Sequence, residues 1–292
     1  MGASFFHLCL AMRAIASCPV FRPARGLTAC VLASVAGLWA PLAWAVHFDI
    51  ELRTDRGPVA GARITTDFYG DLTEWAGNLP IDAETGQKIY PGYFGDLEGG
   101  PYLTDDPGFQ AFAGTFVRGE LVAYRALGTL RWWNPATGRW GAAPQGIEVV
   151  LYGNIPIEVE IGYDTDPAAW AEQYAYYSGG TRYHATGVSG PLSAFIDDAK
   201  TGGSFHAHLD WKITAPARAA PNVGAYMVTL QFWSSAQAGG QQKYLPSTPV
   251  QIIFERGISE AQMRTAIQAR IAARPPDAGV RTRVPRAPWA SP

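Results

Sequence analysis

From Val46 onward the chain alternates between apolar and polar residues with the period of two that strands require. Val46, Phe48, Ile50 and Leu52 make one face of a first segment, and His47, Asp49, Glu51 and Arg53 make the other. Thr54-Asp55-Arg56-Gly57 reads as a turn, and 59–66 reads as the returning strand of a hairpin. The same alternation recurs late in the chain. Phe205, Ala207, Leu209 and Trp211 point one way there, while Ser204, His206, His208, Asp210 and Lys212 point the other. Between these segments, 112–116, 120–126, 128–133, 147–152 and 155–161 read as short strands separated by turn residues, with Asn134-Pro135-Ala136-Thr137-Gly138 the clearest turn. Segments 224–233 and 249–254 read as longer, largely buried strands. This spacing predicts an all-β chain, an antiparallel β-sandwich of jelly-roll or Ig-like type with long irregular loops and one C-terminal helix.

Two stretches depart from the strand pattern. Residues 67–110 are rich in Gly, Pro and acidic side chains, and their aromatics, Tyr90, Phe94 and Phe109 among them, predict a long loop packed on the body. In 162–203, Asp166 is placed to cap a short helix with Pro167 at its first position, running to Tyr174. After the last strand, Ser259-Glu260-Ala261-Gln262 matches a capping box with Ile258 as staple, so a helix is expected up to Pro275. Pro and Arg dominate beyond it and predict disorder.

Residues 1–45 change the picture. They carry Arg13, Arg22 and Arg25 with no acid, then an apolar run from Leu27 to Trp44 that ends in Ala43-Trp44-Ala45. A basic start, an apolar core and an A-x-A site predict a secretory signal peptide cut after Ala45. The expected organisation is a signal peptide at 1–45, a β-sandwich at 46–256, a helix at 257–274 and a disordered tail at 275–292. The expected location is periplasmic or extracellular. No later stretch is apolar enough for a span, so no stable membrane segment is expected after cleavage.

Export sharpens the rest of the composition. Cys9, Cys18 and Cys30 all lie in the leader, so the mature chain has neither disulfides nor thiolate ligands. Without the leader, 20 basic residues face 25 acidic ones, a net charge of −5, and 46–255 alone has 13 against 23, a net of −10. Such a body disfavours nucleic acid and favours cations. Four histidines remain, and two of them, His206 and His208, share a strand face. Imidazole is the commonest nitrogen ligand for zinc and copper. The expected site uses His206 and His208, with His47 or His184 as a third nitrogen. Asp210 or Asp49 would serve as a ligand or as the acceptor of a ring N–H. Trimming that exposed His47 as the first residue would give Cu(II) an amine and an imidazole together. Asp96, Glu98, Asp105 and Asp106 lack the spacing of a calcium loop.

Motifs for other chemistry are missing. There is no G-x-S-x-G, no mature cysteine nucleophile, no phosphate loop and no dinucleotide fingerprint, so the reading leans away from an enzyme. The many carboxylates leave a glycosidase pair open, because sequence does not give their separation. Eight of ten tryptophans lie after the leader. Trp132, Trp133, Trp140, Trp170 and Trp233 can offer flat faces to sugar rings or fill a core. A carbohydrate-binding or cell-surface module without metal is therefore the second reading, with a carbohydrate or surface component as partner.

Three motifs together, His47-x-Asp49-Ile50, Thr104-Asp105-Asp106-Pro107-Gly108-Phe109 and His206-x-His208-x-Asp210, resemble a group of uncharacterised exported bacterial β-rich proteins. The resemblance spans most of the mature chain and implies export and a β-rich fold, but no activity. Some of that group carry C-terminal sorting anchors; the charged, Pro-rich end here predicts none.

Overall fold

The computed structural model describes residues 48–70, 77–95, 100–164 and 166–272. The expected leader, His47 and the expected tail lie outside the described residues.

The first hairpin is β1 (Phe48–Thr54) and β2 (Ile64–Gly70), paired antiparallel from Phe48 opposite Gly70 to Thr54 opposite Ile64. The return strand starts later than the expected position 59, because 55–63 is taken up by turns held by Arg63 N donating to Asp55 Oδ1. The expected long loop at 67–110 contains three strands: β3 (Lys88–Tyr93), β4 (Leu103–Thr104) and β5 (Gly108–Ala111). Pro91 and Gly92 disguise β3. It is an edge strand, where a missing N–H is tolerated. A Cβ on Gly92 would run into the Phe254 ring. The expected strand at 112–116 is instead turn, and Phe112 is exposed.

The two segments expected at 120–133 form one strand, β6 (Leu121–Asn134), followed across the Asn134 turn by β7 (Arg139–Ala142) and then β8 (Glu148–Leu151). Residues 155–161 are not a strand. They form α1 (Ile157–Glu160), a 3₁₀ turn at Ile161–Asp164, and then α2 (Pro167–Ser178). The alternation Ile157, Val159, Ile161 has a β period, but only Val159 is buried, so no sheet exploits it. Asp166 caps α2 as expected, accepting from Ala168 N and Ala169 N at 3.1 Å.

There follow β9 (Thr181–His184), β10 (Gly187–Ser189), β11 (Ser193–Asp198), β12 (Phe205–Ala207) and β13 (Trp211–Thr214). The last section comprises β14 (Gly224–Ser234), the small hairpin β15 (Gln237–Ala238) and β16 (Gln241–Gln242), β17 (Val250–Arg256), and α3 (Glu260–Ile271). The expected single strand at 204–212 is broken at 208–210, and its two halves join different sheets.

Among the described residues there are three larger sheets, in the orders β12-β5-β1-β2, β10-β9-β8-β13-β4 and β11-β6-β14-β17-β3, the last with β7 on β6, and β15 and β16 form a fourth, two-stranded one. Pairing is antiparallel except for β1 with β5 and β3 with β17. Phe48, Ile50 and Phe109 from the first sheet, Val149 and Trp211 from the second, and Tyr226, Val228, Phe232 and Phe254 from the third share one buried core. The protein is thus a β-sandwich, rich in antiparallel pairs, with its core between the layers.

One end of the third sheet's outer face is covered by α3. Met263, Ala266 and Ile267 pack on Ile89, Trp133, Ala225, Met227 and Ile253. The expected capping box is present, with Gln262 N donating to Ser259 Oγ at 3.3 Å and Ser259 N to Gln262 Oε1 at 3.0 Å. Ile258 and Met263 lie in the same apolar cluster, as a staple requires. At the helix's far end, Arg270 Nε meets the fully buried Asp82 at 2.8 Å, and its Nη1 meets Glu84 Oε2 at 2.6 Å. No helix among the described residues is long and apolar enough to cross a membrane.

Candidate metal centre

The first sheet carries the site on its polar face. On β5, Phe109 and Ala111 are core, so Gly108 and Gln110 point the other way. The parallel register sets Asp49 beside Gly108 and Glu51 beside Gln110. On the other side of β5, the antiparallel register sets His206 beside Gln110, and its continuation brings His208 to Gly108. Strands β1 and β12 are therefore not neighbours, as the matched patterns invite one to suppose; β5 lies between them.

Two strand spacings amount to roughly 9.5 Å, too far for Asp49 and His208 to meet unless the middle position is vacant. Gly108 provides that vacancy. A Cβ there would fall on Asp49 Oδ1 and within 2.7 Å of the His208 ring. Across the gap, His208 Nε2 lies 3.6 Å from Asp49 Oδ1, and His206 Nε2 lies 3.4 Å from Asp49 Oδ2. The two Nε2 atoms are 3.0 Å apart. Ligand atoms held about 2.0–2.2 Å from one ion at angles of about 95–120° are separated by about 3.0–3.8 Å. Asp49, His206 and His208 therefore form a group that could hold a metal ion. Asp49 is 1% exposed, His208 20% and His206 51%, so the group is closed by sheet on one side and open to solvent on the other.

His208 is oriented from behind. Its Nδ1 donates to the Asp105 carbonyl at 3.2 Å, which leaves the Nε2 lone pair facing Asp49 and His206. Asp105 Oδ2 and Asp106 Oδ1 lie 3.5 and 3.6 Å from the same Nδ1. Asp105, Asp106 and His208 make a second cluster with metal-ligand spacing. One neutral imidazole presents only one lone pair, so with its Nδ1–H directed at the Asp105 carbonyl the acidic turn orients the ring. The turn carrying that pair is fixed locally, with Asp106 N donating to the buried Thr104 Oγ1 at 3.0 Å.

Of the residues expected from sequence, the structure brings together His206, His208 and Asp49. Asp210 is not with them. Its side chain is exposed, and its carbonyl accepts from Tyr152 N just past β8 of the second sheet, because the chain has already crossed over. His184 is also elsewhere. It ends β9 in the second sheet, with Nδ1 3.1 Å from Thr186 Oγ1, and belongs to neither cluster. His47 lies outside the described residues. Sequence reasoning did not assign Asp105, Asp106 or Gly108 to the site, although all three sit in the Thr104–Phe109 motif. That motif was the available signal. Set against known proteins, the chain matches no protein-family model, no curated protein and no solved structure.

Proposed function

We propose that this is an exported protein, periplasmic or secreted, that binds zinc or copper through His206, His208 and Asp49, for binding or handling the ion rather than for catalysis. The observation that carries the reading is the approach of three ligand atoms to within 3.0–3.6 Å around the gap at Gly108. Two imidazoles and a carboxylate suit zinc and Cu(II) better than Cu(I), which favours sulfur. The half-exposed His206 leaves coordination positions to solvent, which suits uptake and release. Export rests on the leader sequence, and the resemblance to exported β-rich proteins supports the same compartment.

The test is metal analysis and calorimetric titration of the secreted form, purified without a histidine tag. The expected result is about one equivalent of zinc or copper bound, falling below about 0.2 in the His206→Ala/His208→Ala variant with an unchanged circular dichroism spectrum. Wild-type uptake below about 0.2 equivalent sinks the proposal, as does stoichiometric binding retained by the double variant. Recovery of Fe(II), which the same donor set also suits, would keep the site and replace the metal.

A further inference from the structure

The outer face of the third sheet is divided in two. Along β14, Ala225 and Met227 lie under α3, but Gln231 and Trp233, on the same face, lie beyond it and are partly exposed. The registers build a cross-strand row there, Phe195 on β11, Ala123 on β6 and Trp233 on β14, with Ser193, Arg125 and Gln231 as the next row. Ala123 is fully buried beneath the two aromatics, whose ring centroids are 6.5 Å apart, so the open recess lies beside the indole rather than between the rings. Trp233 stands between two cavities. One, about 200 Å³, is lined by Phe195, Ala123, Pro156 and Tyr177. The other, about 220 Å³, is lined by Arg125, Ser235, Gln237 and Gln242. Each is open to solvent and smaller than an enclosed small-ligand pocket of roughly 300–1,000 Å³.

The indole is fixed in place. Its Nε1 donates to Ser193 Oγ at 2.8 Å, and that hydroxyl donates to the Tyr124 carbonyl at 2.6 Å. An orientation set before binding lowers the entropy lost on binding. Aromatic faces on one side and amides, a hydroxyl and a guanidinium on the other suit a ligand with an apolar ring face and a polar rim. A pyranose has this form: its C–H face meets the negative face of the indole, and its hydroxyls exchange hydrogen bonds with planar amides. Arg125 is the one charged residue lining either cavity, and it has no carboxylate partner among the described residues. A guanidinium so placed pairs with a carboxylate on the ligand.

We infer that this recess binds an acidic saccharide, a uronic acid unit stacked on Trp233 with its carboxylate on Arg125. The site is separate from the metal group and does not depend on it. The test is calorimetric titration of the full-length secreted protein with tetramers of galacturonate, glucuronate and mannuronate, and with the neutral galactose tetramer. At least one uronate tetramer is expected to bind one-to-one with a Kd below about 1 mM, and the neutral tetramer about tenfold more weakly or worse. Trp233→Ala should abolish binding, and Arg125→Gln should remove the preference for the acidic sugar. The inference is overturned if none of the three uronates binds saturably at about 5 mM, or if the neutral tetramer binds equally well. Unchanged binding by a folded Trp233→Ala protein overturns it too. Should Trp233→Ala fail to fold, the surface variant Arg125→Gln still decides, because an unaltered preference in it rejects the carboxylate contact.

Discussion

Gly108 matters because it contributes nothing to the site except space. Replacing it by alanine adds one methyl group at the point where Asp49 Oδ1 and the His208 ring already meet. The carboxylate is buried in the sheet and cannot withdraw, so His208 must yield. Gly108→Ala is therefore expected to weaken metal binding by about 10–100-fold, the usual loss when a ligand is misplaced, while leaving the melting temperature of the metal-free protein within a few degrees. Titration of the variant beside wild type checks this, and equal affinity would show that Gly108 does not gate the approach. At this scale the sequence was partly legible. His206 and His208 stand out as i, i+2 neighbours, and Asp49 stands out as a carboxylate on the polar face of an alternating strand. A glycine that acts by having no side chain leaves no such mark. Asp105 and Asp106 were hidden because their partner, His208, is about a hundred positions away in sequence.

Elements set by local rules were the most legible, namely α2 with its Asp166 cap, α3 with its capping box, and the long strands β14 and β17. Elements that exist only through distant pairing were not. β3 is held by its parallel register with β17, and β5 by β1 and β12, and neither has a strong pattern of its own. The break at 208–210 was also invisible, because the alternation of 204–212 runs on while the backbone changes sheets. What fixes α3 at its far end is likewise non-local: the buried pair of Arg270 and Asp82. Removing one member leaves a buried charge without its counterion. Arg270→Ala should thus destabilise the protein by about 3–5 kcal/mol, whereas replacing both residues by apolar ones, as in Arg270→Met/Asp82→Leu, should cost less than the single change. Urea midpoints of the three proteins measure this, and a double variant weaker than Arg270→Ala would contradict it.

At the scale of the whole molecule, Glu120 joins the turn before β6 to the segment after β16 and so contributes to stability against acid. Burial opposes its ionisation. The Lys243 ammonium at 2.5 Å, the Tyr244 hydroxyl at 2.7 Å and the Val117 amide at 2.8 Å outweigh that and hold its carboxyl below the ordinary glutamate range. A carboxyl whose folded pKa is depressed stabilises the fold above its unfolded value, near 4.3, and loses that contribution as pH falls through the folded value. Glu120→Gln should accordingly cost about 1–3 kcal/mol at pH 7, and the difference from wild type should shrink below pH ~4. Denaturation midpoints at pH 7, 5 and 3 check the sign. A gap that widens toward acid would mean that Glu120 is not the group responsible.

The crossing at 208–210 has a mechanical consequence. Asp49 belongs to the first strand of the fold, while His206 and His208 come about 160 positions later, at the point where the chain leaves one sheet for the next. An ion shared by the three would act as a clasp between the beginning and the later part of the polypeptide, closing a loop that takes in most of the strands. Clasps that close long loops restrict the unfolded chain most. Loading would then be felt as resistance to unravelling along the chain as well as at the site, and release of the ion would loosen the first sheet across β1, β5 and β12.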